Sequence, residues 1–145
     1  MPASPTLNPD IEAKIRESFD RQSLMATLGA QLGRVDSGAV DIEAPISPGS
    51  LQQQGFAHAG LTFAIGDSAA GYSALSLLRK DQEVLTTEMK IHLLAPAAGE
   101  QLIARGRVIK PGRRIMVVHS DVYAVTDGQE RHVALLTGSM IPVDL

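Results

Sequence analysis

Hydrophobic and polar residues follow two different periods along the chain, and the changes of period mark its elements. Residues 8–22 open with Asn-Pro-Asp and then place Ile11, Ile15 and Phe19 four residues apart. This spacing puts the three side chains on one face of an α-helix, and Asn-Pro-Asp is typical of a helix start. The pattern therefore predicts an amphipathic N-terminal helix over about residues 9–22.

Residues 28–46, LGAQLGRVDSGAVDIEAPI, change to a period of two. The apolar residues Val40, Ile42 and Ala44 are each separated by a single acidic residue. Such alternation is typical of a strand with one buried face. We therefore predict two short strands joined by a turn at Asp36-Ser37-Gly38, followed by a loop, SPGSLQQQGF, that is rich in breakers and amides.

Residues 55–78, GFAHAGLTFAIGDSAAGYSALSLL, form a long apolar run with one acidic side chain, Asp67, near its middle. The run predicts a helix from about His58 to Leu78 or Arg79 that is buried on nearly all its faces. It is also long enough for a membrane span. An aspartate at the centre of such a span costs about 2.5–3.5 kcal/mol, so a buried helix is the better interpretation and no membrane association is expected.

Four strands are predicted after the long helix. In EVLTTEMKIHLLAP, residues 83–96, one side carries Leu85, Thr87, Met89, Ile91 and Leu93, and the other carries Thr86, Glu88, Lys90 and His92. Three further strands follow, with turns at Lys110-Pro111-Gly112 and Asp127-Gly128. The length of 145 residues fits one domain. The predicted class is α+β, with a largely antiparallel sheet curling around one helix.

The composition removes several classes of function. A net charge of −3 and an aromatic fraction of 3% give no basis for nucleic-acid binding. The absence of cysteine excludes disulfides and thiolate chemistry, and the four histidines lack metal-ligand spacing, so no metal site is expected. The first ten residues show no secretion signal, and we expect a cytoplasmic protein.

Candidate chemistry lies in the long helix. Asp67 is surrounded by apolar residues, and poor solvation of a carboxylate raises its pKa and its basicity. The start of the helix, at His58-Ala59-Gly60, offers unpaired backbone N–H groups to a developing oxyanion. Together these groups are typical of acyl transfer to water.

The sequence resembles the PaaI-like acyl-CoA thioesterases of the hotdog fold, in which an antiparallel sheet wraps a central helix. The resemblance rests on HAGLTFAIGD, which holds His58-Ala59-Gly60 and Asp67, and on TTEMKIHLLAPAAGEQLIARGRVIKPGRR after it. It covers roughly residues 25–143. It implies hydrolysis of an acyl- or aroyl-CoA, with coenzyme A as part of the substrate and no other cofactor.

The resemblance also implies roles for individual residues. Asp67 would be the general base or the nucleophile, and the N–H groups of Ala59 and Gly60 would form the oxyanion hole. Gln52, with Gln53 as the alternative, and Thr86, with Thr87 as the alternative, would hold the thioester and the water. His58 would orient the helix start. Lys110, Arg113 and Arg114 would face the phosphates of coenzyme A. Phe63 and Met89, with Leu61 and Leu93, suggest an apolar acyl pocket.

The spacing of the candidate residues predicts an oligomer. Ala59 and Asp67 are eight residues apart, which is roughly 12 Å along one helix. Catalytic groups must lie about 3 Å from the reacting atoms, so the two residues are not expected to serve one thioester within one chain. Two antiparallel helices related by a twofold axis near Phe63 would bring Ala59 of one chain to Asp67 of the other. A homodimer is therefore required, and family dimers often pair into tetramers.

Two rival functions remain open at this point. The first is a hydroxyacyl dehydratase on the same fold, although the histidine-led motif of those enzymes is not evident before the helix. The second is a module that binds acyl-CoA without hydrolysing it, as a sensor or interaction protein. Ala59, standing where the family has glycine, is the feature that supports the second rival.

Overall fold

The structure, a computed structural model, describes residues 6–144. The elements are α1 (Pro9–Arg21), α2 (Ser23–Leu28), β1 (Gln31–Asp36), β2 (Ala39–Pro45), α3 (Ala59–Leu75), β3 (Gln82–Leu93), β4 (Gln101–Lys110), β5 (Met116–Thr126) and β6 (Gln129–Asp144). The predicted order of one helix, two strands, a long helix and four strands is confirmed, and so is the α+β class. The three predicted turns lie at the β1–β2, β4–β5 and β5–β6 junctions.

The N-terminal helix forms as its pattern predicts. The Asn8 side chain caps α1 by accepting a hydrogen bond of 2.8 Å from the N–H of Asp10. Ile11, Ile15 and Phe19 are all buried against the core. The spacing of four residues therefore identified the packed face of this helix correctly.

The short helix α2 is absent from the sequence prediction, which started a strand at Leu28. The strand begins instead at Gln31, because α2 continues to Leu28 and ends at Gly29, whose φ of 68° is left-handed. Glycine adopts that conformation without a steric penalty and commonly ends a helix. The apolar residue Met25 of α2 is buried, so α2 extends the core that α1 begins.

The six strands form one antiparallel sheet in the order β1-β2-β4-β5-β6-β3, and α3 packs across its concave face. The closest approach is at Gly106 of β4, where a Cβ atom would lie 2.5 Å from the backbone of Ala69. The glycine therefore lets the sheet touch the helix backbone directly. The sheet has two edges, β1 and β3, and β3 is the edge strand that runs beside the exposed side of α3.

The long helix ends at Leu75, earlier than the predicted Leu78 or Arg79. Ser76 follows the last turn, donates a hydrogen bond of 2.6 Å to the carbonyl oxygen of Ser73, and accepts one of 2.7 Å from the N–H of Gly38. The first contact closes the last turn of the helix, and the second fixes this end of the helix to the β1–β2 hairpin. Hydropathy alone extended the helix through Leu77 and Leu78, whereas these side-chain contacts terminate it.

Burial on all sides of α3 is found only in its last turn. Residues 72–75 are buried throughout, but the first half leaves Gly60, Phe63, Ala64 and Asp67 partly or fully exposed. These four residues recur at intervals of three or four and form one stripe along the helix, here called the open stripe. Phe63 retains 36% of its exposure at the middle of the stripe. Within one protomer, the prediction of complete burial is therefore wrong for this half.

Strand β3 departs from simple alternation because it contains a β-bulge between Thr86 and Glu88. Thr86 pairs with Met140, and Met89 pairs with Gly138, so the strand resumes its pairing after one extra residue. A bulge reverses which side of the strand the following residues face. Thr86 therefore reaches the helix side, and Met89 packs against the core from the same side, although the sequence placed them on opposite faces.

Candidate active site

Asp67 lies on the open stripe of α3 and is held by a residue of β3. The hydroxyl of Thr86 donates a hydrogen bond of 2.8 Å to Asp67 Oδ1. Burial raises the pKa of the Asp67 carboxyl, and the Thr86 hydrogen bond opposes that rise in pKa. The carboxylate is therefore more basic than an ordinary aspartate, and its orientation is fixed.

A cavity of about 220 Å³ opens beside Asp67 between α1, α3 and β3. We call it the Asp67 cavity. Its lining consists of Ser18, Gln22, Asp67, Ser68, Gly71, Tyr72, Leu75, Glu83, Val84 and Thr86.

The start of α3 is built around His58. The imidazole Nδ1 of His58 accepts a hydrogen bond of 2.7 Å from the backbone N–H of Gly60. The backbone N–H of His58 donates one of 2.9 Å to the carbonyl oxygen of Ser50. A Cβ atom on Gly60 would lie 2.9 Å from His58 Nδ1, so glycine at position 60 is what allows the imidazole to approach this closely. His58 is thus the N-cap of the helix, consistent with its expected role in orienting the helix start.

The cap changes the predicted oxyanion hole. The Gly60 N–H is already engaged by His58, whereas the Ala59 N–H makes no hydrogen bond within residues 6–144. The predicted pair of donors is therefore reduced to Ala59. Its backbone lies in the first turn of α3 and its φ is not positive, so alanine adopts this conformation without strain.

A second and larger cavity, of about 530 Å³, adjoins Ala59. We call it the Ala59 cavity. Gln52 lies on its wall, and Gln52 Oε1 accepts a hydrogen bond of 3.4 Å from the N–H of Phe56, which holds the loop before the helix. Gln53, the alternative to Gln52, lines the same cavity. The full lining is Gln52, Gln53, Gln54, Phe56, Ala57, His58, Ala59, Thr62, Leu93, Leu94, Ala95, Pro96, Ala97 and Val133.

The structure thus divides the predicted residues into two groups on one helix. Gln52, His58 and Ala59 surround one cavity, while Asp67 and Thr86 surround the other. No residue lines both cavities. The two groups are separated by the same roughly 12 Å of helix that the sequence spacing indicates.

Comparison with known proteins identifies the family of this chain. Residues 54–130, just over half of the chain, match the family model of the thioesterase superfamily. The chain belongs to the thioesterase superfamily. This membership supports a hydrolase, and the matched residues include both the start of α3 and Asp67.

Solved structures show that this thioesterase-superfamily chain has the hotdog fold. A thioesterase family protein from Silicibacter pomeroyi is 41% identical with a TM-score of 0.91, and the match covers 93% of this chain and 99% of that one. The PaaI protein of the Escherichia coli phenylacetic acid degradation operon is 21% identical with a TM-score of 0.84, over 95% and 96% of the two chains. A putative esterase of Saccharolobus solfataricus is 24% identical over 129 residues, covering 89% of this chain and 83% of the relative.

Most of the residues predicted to bind coenzyme A or the acyl group lie away from both cavities. Lys110, Arg113 and Arg114 are exposed at the turn between β4 and β5. Met89 is partly buried and packs against the core, and Phe63 lies on the open stripe between the two groups. Leu93 is the exception, because it lines the Ala59 cavity, whereas Leu61 is buried in the core.

The sequence interpretation missed the wall that α1 contributes. Ser18 and Gln22 line the Asp67 cavity and both contact the hydroxyl of Tyr72, at 3.0 and 2.7 Å. The only signal in the sequence was the polar side of an amphipathic helix, which is ordinarily solvated. Docking of α1 on the sheet and α3 turned that side towards a cavity.

Residues 6–144 contain neither a metal-binding cluster nor a membrane-spanning helix. Among residues 6–144, no group of three or more histidine, aspartate or glutamate side chains is arranged to hold a metal ion. No helix of this region combines the length and the hydropathy needed to cross a membrane.

Proposed function

We propose that this member of the thioesterase superfamily hydrolyses an acyl- or aroyl-CoA to the free acid and coenzyme A, at two sites shared by a homodimer. The observation that carries the proposal is the Asp67–Thr86 hydrogen bond on the open stripe, with the unpaired Ala59 N–H eight residues away on the same helix. No metal or redox cofactor is part of the proposal. We place the reaction in the cytoplasm, a reducing compartment that the absence of cysteine fits.

Asp67 supplies the basic or nucleophilic oxygen. Thr86 donates to Oδ1, which leaves Oδ2 available to the reacting atoms. As a base, Asp67 takes a proton from water while the water oxygen attacks the thioester carbon. As a nucleophile, Asp67 attacks that carbon itself, expels the coenzyme A thiolate, and forms an anhydride that water then cleaves. Both routes need a carboxylate that is poorly solvated and held in place.

Ala59 supplies the oxyanion donor. Its N–H is unpaired at the first turn of α3, where the helix dipole also favours negative charge. An oxyanion that forms on the thioester carbonyl accepts a hydrogen bond from this group, and a single such donor is worth about 100–1000-fold in kcat. The adjoining Gln52 amide orients the thioester in the same cavity.

A homodimer brings these groups together. The open stripe consists of glycine, alanine, phenylalanine and aspartate, so the backbone of a second helix can approach it closely. Antiparallel pairing about a twofold axis at Phe63 places Ala59 of one protomer opposite Asp67 of its partner. The unpaired edge of β3, which adjoins the stripe, is available to the same partner.

Coenzyme A needs cationic contacts for its phosphates. Lys110, Arg113 and Arg114 are exposed and form no ion pair within residues 6–144. In the proposed dimer they remain the candidates for these contacts. Replacing Arg113 and Arg114 with alanine should raise KM for acyl-CoA more than it lowers kcat, because phosphate binding is the same in the ground and transition states.

Thiol release from short, medium, long and aromatic acyl-CoA substrates tests the proposed reaction. Asp67→Asn should reduce turnover by at least about 100-fold, since it removes the base or nucleophile and keeps the side-chain shape. Asp20→Asn is the matched control, because Asp20 is an exposed carboxylate on α1. Tight binding of acyl-CoA with no thiol release by the wild type would contradict hydrolysis and favour the binding module.

Mixed dimers test the shared site. Ala59 is the first residue of α3, where proline is well tolerated, so Ala59→Pro deletes the N–H donor alone. A dimer of one Ala59→Pro chain and one Asp67→Asn chain contains one intact site and one doubly defective site. Random pairing of the two inactive variants should therefore restore about a quarter of wild-type activity. No recovery in verified mixed dimers would show that each chain supplies both groups.

A further inference from the structure

The Asp67 cavity has a polar inner wall that the hydrolytic reaction leaves unused. Gln22 Nε2 donates a hydrogen bond of 2.7 Å to the Tyr72 hydroxyl, and that hydroxyl lies 3.0 Å from Ser18 Oγ. Tyr72 is buried, with 6% of its surface exposed. The network therefore fixes the Gln22 carboxamide against the cavity.

The Gln22 amide retains unused hydrogen-bonding capacity. A carboxamide nitrogen carries two N–H groups, and Tyr72 accepts only one of them. On its other side, Gln22 Oε1 has only a long contact of 3.5 Å with Ser68 Oγ. A second N–H donor is thus available to an acceptor atom inside the cavity.

The remaining walls and the size of the cavity suit a small acyl group. Leu75 and Val84 are apolar, and Gly71 carries no side chain. The volume of about 220 Å³ corresponds to about seven water molecules of liquid. Sites for complete small-molecule ligands are usually larger, at about 300–1000 Å³. The Ala59 cavity, at about 530 Å³, falls within that range and is the better fit for the pantetheine arm.

We propose that the Asp67 cavity is the acyl subsite and that Gln22 selects short acyl groups carrying a hydroxyl or carbonyl oxygen at their far end. The proposal rests on the proposed thioester hydrolysis. Gln22 donates its second N–H to that oxygen, while Tyr72 and Ser18 position the carboxamide. An acyl group without the oxygen leaves the donor unpaired, and sites built around a hydrogen bond discriminate strongly against such analogues.

Hexanoyl-CoA and 6-hydroxyhexanoyl-CoA form a matched pair of substrates for the test. Wild type should prefer the hydroxylated ester by at least about tenfold in kcat/KM. Gln22→Met keeps the length of the side chain and removes the donor, so the preference should fall to near unity. Tyr72→Phe removes only the hydroxyl that orients Gln22, so the preference should fall part of the way. Gln129→Met, in the exposed β5–β6 hairpin, should leave the preference unchanged.

The outcomes separate the subsite from the reaction. Equal turnover of both esters by wild type would overturn the subsite while leaving hydrolysis intact. A preference that changes with Phe56→Ala, in the Ala59 cavity, but not with Gln22→Met would also overturn it. If wild type hydrolyses neither ester, calorimetric binding of the pair to folded Asp67→Asn still tests the subsite. The expected tenfold difference in Kd should then disappear when Gln22→Met is added.

Discussion

The two halves of α3 are similarly apolar in sequence but have different surroundings. Residues 72–75 are buried, and Ser73 Oγ accepts a hydrogen bond of 2.9 Å from the N–H of Val40 in β2. The first half is covered by the sheet on one side only and exposes Gly60, Phe63, Ala64 and Asp67 on the other. The last turn is core, whereas the first half is a surface that a second protomer can cover.

This difference shows that hydropathy does not distinguish a core helix from an interface helix. The end of the helix loses its contact with water when the chain folds, whereas in the proposed dimer the first half loses it when two chains associate. Apart from Thr86 of β3, the candidate catalytic groups are all on or before the first half. A carboxylate there is partly desolvated in one protomer, and the partner in the proposed dimer would desolvate it further.

The largest expected effect comes from breaking the proposed interface at Phe63. Phe63→Glu places two carboxylates beside the twofold axis, so the dimer should dissociate and thioesterase activity should fall to background. Light scattering coupled to gel filtration measures the first effect, and thiol release measures the second. Leu24→Glu changes a leucine of α2 that is 51% exposed and should remain a dimer. A fully active Phe63→Glu monomer would contradict the shared site.

Substitutions in or against the second half of α3 should change the free energy of unfolding. Gly106→Ala drives a Cβ atom to 2.5 Å from the backbone of Ala69, which cannot move without displacing the helix. Overpacking of this kind costs about 1–3 kcal/mol in the free energy of unfolding. Gly71→Ala is the control, because its Cβ would meet only the Met140 side chain at 3.8 Å. Urea unfolding measures the free energy of unfolding of both variants. A lower value for Gly71→Ala than for Gly106→Ala would contradict this prediction.

The bulge in β3 can be tested through the pH dependence of activity. The protonated Asp67 carboxyl is inactive, so kcat/KM should fall as the pH decreases through its raised pKa. Thr86→Val removes the hydrogen bond that lowers this pKa, so the acidic limb should move to higher pH. Thr87→Val is the matched control, because Thr87 Oγ1 instead donates a hydrogen bond of 3.0 Å to the carbonyl oxygen of Ser139. An equal shift in both variants would contradict the assignment of Thr86.

The smallest expected effect is that of the Asp67 charge on the stability of the folded protein. A raised pKa means that ionised Asp67 opposes folding, and this cost appears as the pH rises from the unfolded value of 3.8 through the folded pKa. Asp67→Asn should therefore have a slightly higher Tm than wild type at neutral pH. The difference should shrink below the unfolded pKa, where both forms are neutral. Thermal unfolding across that pH range measures it, and a less stable Asp67→Asn at neutral pH would oppose the expectation.

The sequence by itself determined the order of the elements, the class of fold and the two ends of the candidate site. The period of four in α1, the alternation in β2 and the apolar run of α3 are local patterns set by the geometry of helices and strands. Asp67 was identifiable because it is the one acidic side chain in that run. The eight-residue spacing from Ala59 predicted the division of the site, because the rise of an α-helix is constant.

Only the tertiary structure decided which atoms are available. The His58 cap engages the Gly60 N–H and leaves that of Ala59, because the imidazole folds back over a residue without a side chain. The bulge turns Thr86 to the helix side, and docking of α1 brings Gln22 to Tyr72 across 50 residues of sequence. Such contacts depend on how separate elements pack, and no local period in the sequence encodes them.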